Sequence, residues 1–169
     1  MSNTPMVRKN FMDGEIISIP LIFNSGVETS TGFDLPTNAR IYPWDMGVIV
    51  DTVDSGKTIN VGILSTQTGG DADGFIAGLS LTTAGLIWPI QTVTAGTNMN
   101  YLSANTLGVL FMGDTYAQFN GANVAATPGM QLYKPYMCDG IAKTISYTCT
   151  TASAAFVGRL VFRVRVWPI

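Results

Sequence analysis

The stretches Lys143-Thr-Ile-Ser-Tyr-Thr-Cys-Thr150 and Arg159-Leu-Val-Phe-Arg-Val-Arg-Val-Trp167 decide the fold class of this chain. In the first stretch, apolar side chains alternate with hydroxyls. In the second, they alternate with Arg159, Arg163 and Arg165, which therefore share one face. A period of two is typical of strands that turn one face toward a core. The eight residues between the stretches allow either an antiparallel hairpin or strands in two facing sheets.

The rest of the chain adds shorter strand patterns separated by turn residues. Alternating apolar residues predict strands at 15–24 and 58–64, and the apolar run Gly47-Val-Ile-Val50 predicts a central strand. Pro20 lies on the face opposite to the alternating apolar residues of the first strand, which predicts an edge position or a bulge. The composition of Asp54-Ser-Gly-Lys57 predicts a hairpin turn.

Weaker patterns complete the fold prediction. A polar loop is expected at 66–74 and a long surface excursion at 116–128, while the apolar residues of 104–112 satisfy neither period well and leave a short helix or a strand open. Further strands are expected at 27–33, 39–42, 46–53, 75–81 and 133–138. Roughly eight short strands without a convincing amphipathic helix predict an all-β fold. We expect an antiparallel β-sandwich that is jelly-roll-like.

The chain is long enough for one domain with a sizeable core, at 169 residues. We expect a single β-sandwich domain at 15–169, preceded by an extended N-terminal arm at 1–14, because Pro5 blocks an early helix. The start of the chain lacks the apolar run of a secretory signal. Residues 74–113 carry no charge, but polar residues interrupt them too often for a membrane span, so no membrane partner is expected.

Charge is scarce and unevenly placed. Charged residues make up 12% of the chain, against roughly a quarter in an average soluble domain. This favours a surface covered by neighbouring molecules, although a hydroxyl-rich exterior would also explain it. Residues 41–133 carry six acids and one base, whereas 134–169 carry five bases and one acid. These segments can pair between copies or neutralise each other within one domain. The net charge of −2 gives no reason to expect nucleic acid.

The two cysteines, Cys138 and Cys149, are expected to be free thiols. In a local hairpin they would lie on the order of 16 Å apart at the ordinary strand rise. That separation is too great for a disulfide. Free thiols, with Cys149 in the core, fit a protein that is made in a reducing cytoplasm.

The chain contains no histidine, which excludes Ser-His-Asp and Cys-His catalytic sites, an imidazole general base and His-ligated zinc. An enzyme would have to work through carboxylates alone, so we expect no enzymatic activity and no cofactor. Asp71 and Asp73 precede Gly74 as at the start of a calcium loop, but the other ligands of that motif are missing. The alternative is a turn in which the aspartates bond nearby amides and Gly74 takes a positive φ.

Arginines and tryptophans are the remaining candidates for binding. The arginine face of 159–165 is either a solvated strand face or an ion-pairing face toward an acidic partner, such as aspartates of another copy. Each tryptophan adjoins a proline. Such residues serve as anchors at interfaces, as sugar platforms, or as ordinary rim and core aromatics; they are Trp44, Trp88 and Trp167.

Several segments together resemble a known family. They are Trp44-Asp-Met-Gly-Val-Ile-Val-Asp51, Thr58-Ile-Asn-Val-Gly-Ile-Leu64, Gly69-Gly-Asp-Ala-Asp-Gly-Phe-Ile-Ala-Gly-Leu-Ser-Leu81, and the ending with Cys138-Asp-Gly140, Thr144-Ile-Ser-Tyr-Thr148 and Gly158-Arg-Leu-Val-Phe-Arg-Val-Arg165. This order is similar to that of small virion proteins of tailed bacteriophages, namely β-sandwich decoration (cement) proteins. The resemblance covers residues 40–90 and 136–167.

The resemblance implies a structural virion protein on the capsid exterior, made in the host cytoplasm. Such a protein binds the major capsid protein lattice, stabilises the phage head and associates with itself, as a homotrimer or a dimer. The interaction candidates are Arg8, Lys9, Phe11, Trp44, Trp88, Arg163, Arg165 and Trp167. The alternative is a phage tail or fibre β-sandwich that binds host glycan through loop aromatics such as Trp44, Trp88 or Tyr116.

Overall fold

A computed structural model describes residues 14–22, 26–89, 106–115, 131–149 and 155–166 of this chain. Within these ranges the protein is all-β, with twelve strands, two short 3-10 turns and no α-helix. The strands are β1 Glu15–Ile22, β2 Thr29–Leu35, β3 Ala39–Ile41, β4 Met46–Thr52, β5 Thr58–Ile63, β6 Asp71–Ser80, β7 Gly85–Ile87, β8 Met112–Thr115, β9 Gln131–Tyr133, β10 Tyr136–Met137, β11 Lys143–Cys149 and β12 Val157–Val166. The 3-10 turns are Pro43–Asp45 and Val109–Phe111.

The strands form two main antiparallel sheets. In the six-stranded sheet, β10, β3, β12, β4 and β7 lie side by side in that order, and β1 also pairs with β12. In the four-stranded sheet the order is β2, β11, β5, β6, while β8 and β9 form a small third sheet. The two stretches that decide the fold class therefore lie in different sheets. Of the two arrangements that the sequence allows, a hairpin of these two strands is wrong, and strands in two sheets are observed.

One hydrophobic cluster joins the two main sheets. Leu160 and Phe162 of β12 are buried together with Ile145 and Tyr147 of β11. Phe33 of β2 meets Phe162 edge to face, with ring centroids 5.5 Å apart, and so makes a contact from one sheet to the other. Burying each of these side chains contributes about 1.5–3 kcal/mol. The alternation in the sequence thus produces the inward faces of a β-sandwich-like architecture.

Two strand positions follow the sequence prediction. Among the described strands, β1 pairs only with β12, and Pro20 lies opposite Arg159. This confirms the edge position, because proline has no N–H for a second neighbour. The apolar run at 47–50 belongs to β4, which lies between β12 and β7. This confirms the central strand.

The turn at Asp54–Lys57 does not close a hairpin, so that prediction is wrong. The turn joins β4 in one sheet to β5 in the other. It is held at the end of β6, because the Asp54 N–H donates to the Leu81 carbonyl and the Leu81 N–H donates to the Lys57 carbonyl, both at 2.9 Å. Turn composition indicates where the chain reverses, but the pairing of the flanking strands depends on contacts distant in sequence.

Strand β6 begins inside the segment that the sequence predicts as a polar loop. Its register against β5 shifts between the pairs Val61–Ile76 and Ile63–Asp71, which marks a bulge at the start of β6. The ambiguous segment 104–112 contains the 3-10 turn and the first residue of β8, and Leu107 forms a bridge with Ile76. The predicted arm before Gly14 and the predicted excursion at 116–128 lie outside the described residues.

Both cysteines are free thiols and Cys149 is buried, as predicted; Cys138 is buried as well. The Cys138 thiol donates toward the carbonyl oxygens of Ile141 and Leu35, at 3.4 and 3.5 Å. Burial raises the pKa of the Cys138 thiol, although a backbone hydrogen bond and the charge of Lys143 oppose this shift. Because the thiolate is the reactive form, the folded protein holds this thiol in its unreactive state.

We expect neither cysteine to be labelled by a maleimide in the folded protein at neutral pH, and both to be labelled after unfolding in guanidinium chloride. The physical reason is burial of both sulfur atoms. Mass spectrometry of the labelled chain counts the adducts, and Cys138→Ala and Cys149→Ala variants assign them. Rapid labelling of either thiol under native conditions would contradict the burial described above.

Candidate protein-interaction face

The side of the six-stranded sheet that points away from the core is apolar over much of its width. Opposed residues of paired strands point to the same side of a sheet, and successive residues alternate. In β1 and β12, Ile16, Ile22 and Val157 therefore lie on the side opposite to the buried Ile19 and Leu160. We call this side the outer sheet face. Its exposed apolar side chains are Ile16, Ile22, Leu86, Trp88 and Val157.

Half-buried Ile49 and Val161 fill the centre of the outer sheet face. A Cβ atom added to Gly47 would lie 2.9 Å from Cε3 of Trp88 and 3.1 Å from Cδ1 of Leu86. The missing side chain thus lets the indole ring lie directly against β4. Trp88 remains 42% exposed, so it is a surface aromatic rather than a core residue.

The corresponding side of the four-stranded sheet is polar. Thr148 lies opposite Asn60, and Thr144 lies opposite Asp34, to which its hydroxyl donates a hydrogen bond of 2.6 Å. Ser146, between the two threonines, donates to a carboxylate. Water readily solvates the threonines and Asp34 of this face, whereas Ser146 is buried and bonded to Glu28. The outer sides of the two described sheets therefore differ. That of the six-stranded sheet presents exposed apolar side chains to a partner, whereas that of the four-stranded sheet does not.

The three arginines of β12 share the outer side of the sheet, as the alternation predicts. Arg159 pairs with Asp51 at 3.1 Å, where both side chains are about half exposed, at 49% and 42%. Such a pair contributes at most about 1 kcal/mol. Arg165 pairs with Asp45 in a more buried position. Among the described residues Arg163 has no ion-pair partner, so its charge is available to a second molecule.

Aromatic and charged side chains meet at one corner of this sheet. Pro43 is buried and anchors the 3-10 turn, while Trp44 is 55% exposed. The Trp44 and Tyr42 rings lie 4.9 Å apart between centroids, and the guanidinium carbon of Arg165 lies 4.8 Å from the Tyr42 centroid. We call Tyr42, Trp44, Asp45 and Arg165 the Trp44 corner. The exposure of Trp44 excludes a core role and leaves three interpretations, namely an interface anchor, a sugar platform and an ordinary rim aromatic.

The paired acids Asp71 and Asp73 lie at the start of β6 rather than in a turn, and the predicted positive φ at Gly74 is wrong. The Asp73 N–H donates to Oδ1 of Asp71 at 3.4 Å. A hydrogen bond between the two carboxyl groups raises the pKa of Asp71, and burial and the charge of Asp73 act in the same direction. Within the described ranges, no group of three or more His, Cys, Asp or Glu side chains could hold a metal ion.

Five candidates from the sequence lie outside the described residues, namely Arg8, Lys9, Phe11, Trp167 and, for the glycan alternative, Tyr116. Sequence reasoning named Trp88 and Arg163 of the outer sheet face but missed Ile16, Ile22 and Leu86. A signal was present in β1, whose isoleucines occupy both even and odd positions. A strand with apolar residues on both faces must either lie inside the fold or be covered from outside.

No helix in the part of the chain that the structure describes is long and apolar enough to cross a membrane. Comparison with protein-family models, with curated proteins and with solved structures gave no match. The outer sheet face and the Trp44 corner are therefore the features from which a function is inferred.

Proposed function

We propose that this chain is a structural virion protein of a tailed bacteriophage, a capsid decoration protein that binds the major capsid protein lattice on the outside of the head. The single observation that supports this is the outer sheet face: a broad apolar surface on a chain with only 12% charged residues. We also propose that the fold is a jelly-roll-like sandwich and that residues 1–14 form an N-terminal arm.

The proposal follows from the cost of exposing such a surface to water. Each half-exposed apolar side chain gains about 1 kcal/mol when a partner covers it. Five such side chains lie on one sheet face, and exposed apolar surface that gathers on one face marks an interaction site. A shell contains many copies, so a modest gain per copy adds up to a large gain for the particle. A protein with this role acts through buried area and needs no catalytic group.

Purified protein added to undecorated phage heads should bind at fixed local three-fold or two-fold positions of the lattice. Imaging by electron cryomicroscopy with averaging measures this directly. Heads that already carry their natural decoration serve as the control, because their sites are occupied. Heads that show no added density at any lattice position would exclude the proposed function.

Deletion of residues 2–14 should reduce binding to heads at least tenfold while the sandwich stays folded. The reason is that Arg8, Lys9 and Phe11 give the proposed arm positive charge and an apolar side chain for contact with the capsid. Co-sedimentation with heads measures the affinity, and thermal unfolding checks the fold. An unchanged affinity for heads would show that residues 2–14 do not contribute to binding.

The Trp44 corner favours a second candidate function, recognition of host glycan by a tail or fibre module. An exposed indole stacked on a tyrosine is a platform that a sugar ring can cover. Under this alternative, native protein should bind glycans on an array and Trp44→Ala should bind them more weakly. Deletion of residues 2–14 should leave glycan binding unchanged. Under the decoration proposal neither protein retains any glycan.

A further inference from the structure

We infer that the partner on the outer sheet face places a carboxylate against Arg163. The inference rests on the proposed function and deepens it, because it states the chemistry of the capsid surface that covers this face. That surface is apolar over most of the contact and carries an aspartate or glutamate side chain at one position.

Two of the three arginines on β12 have their counter-charge within the chain. Asp51 accepts hydrogen bonds from Nε and Nη2 of Arg159, at 3.3 and 3.1 Å. Asp45 pairs with Arg165 in a more buried position. Arg163 lies between these two arginines on the same side of β12 and has no ion-pair partner among the described residues. The structure thus leaves the charge of Arg163 for a second molecule.

Arg163 has apolar neighbours on the outer sheet face. It lies opposite Ile16 of β1, which is 63% exposed, and half-buried Val161 precedes it by two residues on the same side of β12. The aliphatic stem of Arg163 lies close to the main chain before β1, since a Cβ atom added to Gly14 would lie 2.9 Å from its Cγ. A partner that covers Ile16 therefore also removes water from around Arg163.

Removing that water disfavours binding unless the partner supplies a counter-charge. Arginine side chains keep their positive charge in proteins, and an uncompensated charge out of water is costly. A backbone carbonyl oxygen accepts a hydrogen bond from a guanidinium group but neutralises no charge. A carboxylate does both, because its two oxygens match the planar guanidinium with two parallel hydrogen bonds. Charge complementarity therefore selects an acidic side chain at this position of the partner.

Arg163→Glu should weaken binding to undecorated phage heads about 100-fold or more, and Arg163→Gln about tenfold or more. The first variant brings two carboxylates together, and the second removes the charge but keeps a polar side chain. Co-sedimentation of purified protein with heads measures the affinity. The matched control is Lys134→Glu, which makes the same change of charge at an exposed lysine outside β12. It should bind heads as native protein does, and an equal loss in this control would overturn the inference.

Thermal unfolding tests whether Arg163 is paired within the chain instead. Arg163→Gln should unfold at the native midpoint, because the substitution breaks no ion pair among the described residues. A midpoint well below that of native protein, together with native affinity for heads, would show that the arginine serves the fold and would overturn the inference.

Ionic strength gives an independent readout. Salt screens the attraction between charges, so native protein should lose affinity for heads between about 50 and about 500 mM sodium chloride. Arg163→Gln should lose less affinity over the same range, because the screened pair is absent. Equal salt dependence of the two proteins would contradict a carboxylate opposite Arg163.

A failure of this inference is distinguishable from a failure of the proposed function. Heads that bind native protein and Arg163→Glu equally leave the decoration proposal intact and overturn the carboxylate contact alone. Heads that bind neither protein overturn the decoration proposal, and the inference fails with it.

Discussion

Replacing Gly62 with alanine should lower the free energy of unfolding by about 3 kcal/mol or more, because the added methyl group meets main chain rather than a movable side chain. A Cβ at this position would lie 1.9 Å from the Asp71 carbonyl oxygen and 2.6 Å from the Ala72 carbonyl carbon. Gly62 lies in β5, and the bulged start of β6 passes directly over it. The variant therefore must move β6 away from β5.

Thermal unfolding measures this effect, and for a chain of this length the midpoint should fall by roughly 6–12 °C. The matched control is Gly56→Ala, where no atom lies within 4 Å of the new methyl group but φ is +71°. Backbone strain there costs about 1–2 kcal/mol. Equal losses of stability in the two variants would show that conformational strain, and not the contact between β5 and β6, causes the destabilisation by Gly62→Ala.

Replacing Glu28 with alanine should lower the free energy of unfolding by about 2 kcal/mol, because a buried hydroxyl loses its partner. One carboxylate oxygen accepts from the Ser146 hydroxyl at 2.6 Å and from the Ser65 N–H at 2.9 Å, and the other accepts from the Ser65 hydroxyl. Ser146 is fully buried in the central strand β11. Glu28 thus ties three segments of the four-stranded sheet together.

The Glu28 effect should depend on pH. Burial raises the pKa of Glu28, but hydrogen bonds from Ser146 and Ser65 outweigh it, so the net pKa lies below the ordinary 4.5. A group with a lowered pKa contributes stability above its unfolded pKa, and that stability is lost as pH falls through the folded pKa. The difference in stability between native protein and Glu28→Gln should therefore be constant above pH 5 and shrink below pH 4.

Urea unfolding at several pH values measures that difference, and Glu15→Gln supplies a control at an exposed glutamate in β1. The control should differ little from native protein throughout. A difference for Glu28→Gln that stays constant down to pH 3 would contradict the role of the ionised carboxylate.

Much of the strand content could be predicted, because alternation is a property of neighbouring residues. The bounds of β11, Lys143–Cys149, lie within one residue of the pattern that predicts them, and the edge position of Pro20 follows from its missing N–H. Pairing could not be predicted in the same way. The turn at Asp54–Lys57 looks like a hairpin locally, yet the flanking strands belong to different sheets.

The candidate site was predictable only in part. The surface position of Trp44 is one of the interpretations that the sequence allows, and the common face of Arg163 and Arg165 follows from their spacing. The spacing does not predict that Arg163 and Arg165 have different surroundings. Arg165 meets Asp45, which lies 120 residues earlier in the chain, whereas Arg163 faces outward without a described partner.

The sequence by itself determined that this chain forms strands with one apolar face, because a period of two needs no information beyond adjacent residues. Tertiary structure alone decided which apolar residues stay outside. Ile16, Leu86 and Val157 come from distant parts of the chain and share one face only because β1, β7 and β12 belong to the same sheet. A surface patch is a property of strand order, and strand order is set by contacts between residues far apart in sequence.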